Sequence, residues 1–142
     1  MSLLVPDIGE ILMLQYLTNM LSTDGSAGPA GGGRLLRLFT NNLTPAEGTT
    51  QSTITEAVGA TGYTPVTLVG SSWTTTQVAG TTTAVYSEQT FTFTTAVTVY
   101  GYYVTTIGGS PELLWLERFS GAPFILPSGG GQIAISPRIS LD

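Results

Sequence analysis

The side chains able to do chemistry in this 142-residue chain are nine carboxylates and four arginines, with no histidine, lysine or cysteine. That inventory removes the imidazole general base, the thiolate nucleophile, the Schiff-base amine and the imidazole or thiolate metal ligand. Carboxylate chemistry remains, and its candidates in the Thr-rich part of the chain are Glu47, Glu56, Glu88, Glu112 and Glu117. A glycosidase needs two carboxylates about 5 to 9.5 Å apart across a sugar. Sequence spacing does not forbid such a pair, yet nothing in it supports one. The expectation is a protein that is not an enzyme and uses no cofactor.

Ligand-binding motifs are equally sparse. A calcium loop requires clustered Asp and Asn oxygens, whereas Asp24-Gly25 is a turn signal. The glycines at 28 and 31 to 33 precede no strand-to-helix pattern with a lysine, so they read as linker and not as a phosphate loop. The formal net charge of −5 opposes phosphate backbones, which proteins hold mainly through Lys and Arg, so nucleic acid is not an expected partner. Trp73, Tyr100, Tyr102 and Trp115 admit two readings: a carbohydrate-stacking face, or anchors of a core or subunit interface.

The elements that must position these residues are strands. Threonine makes up roughly one residue in six and glycine is abundant, a composition that favours strands and turns. Strand signals run over 34–40, 63–69, 72–78 and onward from Ala84, where Thr90-Phe91-Thr92-Phe93-Thr94 alternates cleanly. Residues 49–58 read as a polar edge strand or loop, and Asn42-Leu43-Thr44 as a turn, because Pro45 follows directly. In 97–106 both faces carry apolar side chains, which marks a central strand, or one facing a core on one side and a neighbouring subunit on the other. On that reading Tyr100, Tyr102 and Val104 form a sheet interface. Residues 113–119 return as the partner of 97–106 across Gly108-Gly109-Ser110-Pro111, and 124–126 form a last hairpin with 132–141. About eight strands with turn signals every 8 to 12 residues predict an all-β fold, an antiparallel sandwich of jelly-roll or immunoglobulin-like topology.

Ahead of the strands lies a different kind of segment. Pro6, Asp7 and Glu10 open a stretch without further proline until Pro29, which predicts a helix of about four turns ending near Leu21. At 100° per residue Leu12, Met13, Tyr16, Leu17 and Met20 form one apolar arc, with Leu14 and Leu21 toward the polar edge. Burying five such side chains contributes roughly 7 to 15 kcal/mol as an upper figure. The segment can dock on its own sheet, on a sister subunit or larger partner, or on a membrane. It is too short to span a bilayer, has no Lys or Arg before residue 34, and lacks the features of a signal peptide. The expected organisation is an N-terminal helical arm over 1–24, a Gly-rich linker over 25–33 and a β-sandwich over 34–142. With only 9 % charged residues and a positive mean hydropathy, the chain is expected to hide surface in an assembly.

Leu-Val-Pro-Asp-Ile-Gly-Glu at 4–10, the strand 36–40 followed by Asn-Asn-Leu-Thr-Pro at 41–45, Gly62-Tyr63, and Val99-Tyr100-Gly101-Tyr102-Tyr103 resemble pieces of small structural proteins of tailed bacteriophages. The nearest likeness is to the decoration, or cement, proteins of the outer capsid shell. The resemblance implies a compact β-rich module that forms a homodimer or homotrimer, with the trimer preferred, and clamps the major capsid protein. It implies a place on the outer capsid surface after synthesis in the host cytoplasm, and an arm contact through Ile8, Leu12, Met13, Tyr16, Leu17 and Met20. No catalytic residue is carried over. The alternative is a receptor- or glycan-binding module of a phage tail or head fibre, in which the same fold presents aromatics to a sugar.

Overall fold

The computed structural model describes residues 14, 18, 34–78, 80–107 and 110–141. Its strands are β1 (Arg34–Phe39), β2 (Val66–Leu68), β3 (Trp73–Val78), β4 (Thr81–Tyr86), β5 (Gln89–Phe93), β6 (Val97–Val99), β7 (Gly101–Thr106), β8 (Leu113–Arg118), β9 (Phe124–Leu126), β10 (Gly131–Ile135) and β11 (Arg138–Leu141). They form four antiparallel sheets, in the orders β2-β1-β7-β8, β11-β4-β3, β10-β5 and β6-β9. The chain is therefore all-β, but the sandwich of about eight strands behind a helical arm is not what it builds. Long strand runs are cut at Ser87-Glu88, at Tyr100 and at Ser136-Pro137, so three expected strands each become two.

The helical arm needs the same correction. Among the described residues no helix reaches seven residues; single 3-10 turns lie at Gln51–Thr53 and Gly70–Ser72. Leu14, expected at the polar edge of the helix, is fully buried and belongs to the chain's own core. Thr18 is buried too, its N–H and hydroxyl both donating to the Leu14 carbonyl at 2.9 and 2.7 Å. Apolar area buried at home is not available to a partner. Ile8, Leu12, Met13, Tyr16, Leu17 and Met20, and the linker over 25–33, lie outside the described residues.

The largest sheet is organised by β7, which pairs with β1 on one side and β8 on the other. All of 101–105 is buried, as the two-faced pattern of this stretch requires. Leu36 and Leu38 stand opposite Val104 and Tyr102 on one face, while Arg37 stands opposite Tyr103 on the other. Gly101 is fixed by sterics: a Cβ there would lie 2.6 Å from the Phe39 ring and collide with the Glu117 carbonyl. Tyr100 breaks the strand without losing its backbone partners, since its N–H donates to the Phe39 carbonyl and its carbonyl accepts from Phe119.

The second part of the core comes from strict alternation. Phe91 and Phe93 of β5 point inward with Thr90 and Thr92 outward, and across the ladder Ile133 sits opposite Phe91. Tyr63 stacks on both phenylalanines at ring distances of 5.9 and 6.0 Å. On β4, Thr82, Ala84 and Tyr86 face in, and Tyr86 meets Trp73 edge-on at 5.1 Å. The expected last hairpin does not form: β9 pairs with β6, β10 with β5 and β11 with β4.

Candidate functional site

The half-buried carboxylates, Glu56 and Glu117, are each held by their own partners. Glu56 lies beside β1 through an isolated bridge to Phe39, where its carboxylate accepts from Arg37 at 2.6 Å and from the Tyr63 hydroxyl at 2.8 Å. The same Tyr63 oxygen accepts the Leu38 N–H at 3.1 Å. Glu117 accepts from the Tyr102 hydroxyl at 2.6 Å. Tyr102 and Tyr103 are neighbours on one strand and so point to opposite faces, and Glu56 shares its side with Tyr103. The two carboxylates are thereby sent to opposite faces of the sheet. Glu47, Glu88 and Glu112 are exposed.

The electrostatics of these clusters hold structure in place. Burial pushes the phenol of Tyr63 well above its ordinary value, and nearby Glu56 adds to the shift. Burial likewise raises Tyr102, aided by Glu117, and Tyr103, aided by Glu56. Protonated phenols donate to carboxylates, so each pair is a lock between neutral donor and charged acceptor. Burial lowers the Arg34 guanidinium from its ordinary value.

The four aromatics expected on a stacking face or interface do not form one exposed face. Trp73 and Tyr102 are 3 % and 2 % exposed, and Val104 is fully buried. Trp115 is half-buried against Trp73, edge-on at 5.9 Å, and Tyr100 lies half-buried beneath the Arg118 guanidinium at 5.0 Å. Tyr102 and Val104 thus spend their apolar area inside this chain, on the face that packs against Leu36 and Leu38.

The site that sequence reading missed is a groove of about 260 Å³ between β9 and β10. Phe119, Phe124, Ile125 and Leu126 line one side, and Gln132, Ile133 and Ala134 the other; none is charged. Phe119 meets Phe124 edge-to-face at 5.4 Å, yet Phe124 remains 46 % exposed and Ile125 72 % exposed. The groove exists because the two strands diverge to different partners. Gly130, with φ +78°, turns the chain where a Cβ would run into the Phe93 backbone, and this carries β10 onto β5. The signal in the sequence was Phe124-Ile125-Leu126 itself, three apolar residues with no polar alternation, bracketed by Pro123 and Pro127.

A second depression, about 430 Å³, is lined by Gly62, Thr64, Pro65, Val66, Thr90, Phe91 and Thr92 and also carries no charge. Among the described residues no group of three or more Asp or Glu side chains is placed to hold a metal ion, and no helix is long and apolar enough to cross a membrane. No family model, no curated protein and no solved structure matches the chain.

Proposed function

We propose that this chain is a non-catalytic structural protein of a bacteriophage virion, one that self-associates and binds the major capsid protein on the outer surface of the head as a decoration or cement protein. The observation that carries the reading is the uncharged β9–β10 groove, with Phe124 and Ile125 left exposed beside it in a chain that is only 9 % charged. Apolar surface of this kind is stabilised by burial against another protein. The resemblance of residues 4–10, 36–45, 62–63 and 99–103 to phage decoration proteins supplies the class of partner. The interaction site is placed on the strands because Phe124 and Ile125, both exposed, line this groove.

A cement protein acts without turnover: it adds buried area across the joints between capsid subunits and so raises the free energy needed to part them. Binding through uncharged surface gives an attachment that resists salt. Immunogold electron microscopy of phage particles from the host, with antibody against this chain, tests the proposal. Label over the head shell is expected. Unlabelled particles overturn it, and label confined to the tail favours a receptor- or glycan-binding role instead.

A further inference from the structure

We infer that the slot between β5 and residues 62–66 is a binding site for an extended polypeptide segment of a partner chain, which adds itself as a strand along the open edge of β5. Backbone direction carries the inference. In an antiparallel strand the N–H and C=O of one residue point to the same side, and successive residues alternate. Phe93 turns toward β10, because a Cβ on Gly130 would run into its carbonyl. Thr94 turns the other way, and its N–H and hydroxyl donate to the Thr61 carbonyl at 2.9 and 3.3 Å. Thr90 and Thr92 share that direction, so their backbone groups face away from β10 and line the depression of about 430 Å³.

Thr61 begins a further strand beside β5, and the chain then leaves that place. Gly62, with φ +93°, bends away where a Cβ would lie 2.8 Å from the Thr92 carbonyl. Tyr63 turns onto Phe91 and Phe93, and Val66 pairs with Leu36 of β1. Gly62 closes over the Thr92 carbonyl, while the Thr92 N–H and the Thr90 N–H and C=O keep no backbone partner among the described residues. Pro65, across the slot, has no N–H to offer them. These groups identify the occupant, since donors and acceptors repeating every second residue are matched by the backbone of another strand. With residues 64–66 standing opposite, the slot is walled on both sides, so it takes a lone extended segment and not the edge of a second sheet. The occupant's residue opposite Phe91 faces Pro65 and Val66 and is apolar; its neighbours, opposite the exposed Thr90 and Thr92, are polar.

The test uses the full chain, isotope-labelled for amide NMR, and the capped peptide acetyl-Thr-Val-Thr-Val-Thr-amide. Saturable shifts of the Thr90 and Thr92 amide signals are expected at millimolar peptide, with Gly62 and Val66 following. The same peptide with N-methyl groups on its threonines keeps every side chain and loses the donors that face β5. It is expected to bind at least about 10-fold more weakly. T92P removes a donor on the open edge and leaves the β5–β10 ladder intact, so it is expected to weaken binding about 5-fold. The methylated peptide decides the matter even where T92P fails to fold. No shift at β5, equal binding of the methylated peptide, or shifts centred on Phe124, Ile125 and Leu126 overturns the inference. In the virion role the occupant is an extended arm of the capsid protein. Peptide binding by a chain absent from particles keeps the slot and removes that role; head labelling with no peptide binding does the reverse.

Discussion

Glu56 shows how a carboxylate that looks available in sequence is committed in the fold. Its oxygens are taken by Arg37 and Tyr63, and Tyr63 also holds the Leu38 N–H. One side chain thereby pins the 56–63 segment to β1. Y63F removes the donor to Glu56 and leaves a backbone N–H without its acceptor, so stability is expected to fall by about 1 to 3 kcal/mol, read from the urea midpoint at unchanged m-value. Y86F removes only the acceptor of the Val69 N–H and serves as the comparison, with no carboxylate left behind. Residue types alone carried the exclusion of imidazole, thiol and amine chemistry. Which carboxylates are tied down depended on partners 7 and 19 residues away, a separation that no local pattern encodes.

Among the elements, β7 is decisive, because it is buried on both faces and its tyrosines point opposite ways. Gly101 lets Phe39 and β8 close on its start, so G101A is expected to cost about 2 kcal/mol or more, measured as a lowered urea midpoint. Tyr102, Tyr103 and, beside them, Tyr63 have phenols raised by burial. Below the ordinary tyrosine value of about 10 these phenols are protonated whether the chain is folded or not, so they add no pH dependence. Above it the unfolded chain releases protons that the folded chain keeps, and stability falls as pH rises. Alkaline unfolding with tyrosinate absorbance appearing together with the loss of structure is expected; early titration of these three tyrosines in a folded protein would contradict it. The two-sided apolar pattern of 97–106 marked β7 as central from sequence, and the return of 113–118 as its partner was also legible. The last hairpin was not, since turn chemistry at Pro127 to Gly130 is compatible with adjacent strands and with diverging ones alike. Phe93 packing at Gly130 chooses between them.

At the scale of the whole molecule, the absence of histidine, cysteine and lysine leaves no side chain whose ordinary pKa falls between about 5 and 9.5. Unfolding free energy is therefore expected to be flat between about pH 6 and 9, and a slope of one proton in that window would contradict it. Composition and alternation by themselves determined that the chain is rich in strands and that its threonines face out where its phenylalanines face in, because these follow from residue types and a period of two. The tertiary structure decided the rest: among the described residues eleven strands in four sheets, Leu14 in the core, Trp73 and Tyr102 inside, and an open groove at β9. The physical reason is that strand alternation specifies only which side chains share a face, while the identity of the neighbouring strand is set by long-range packing. A surface left uncovered is the remainder of that packing, and no segment of the chain carries it alone.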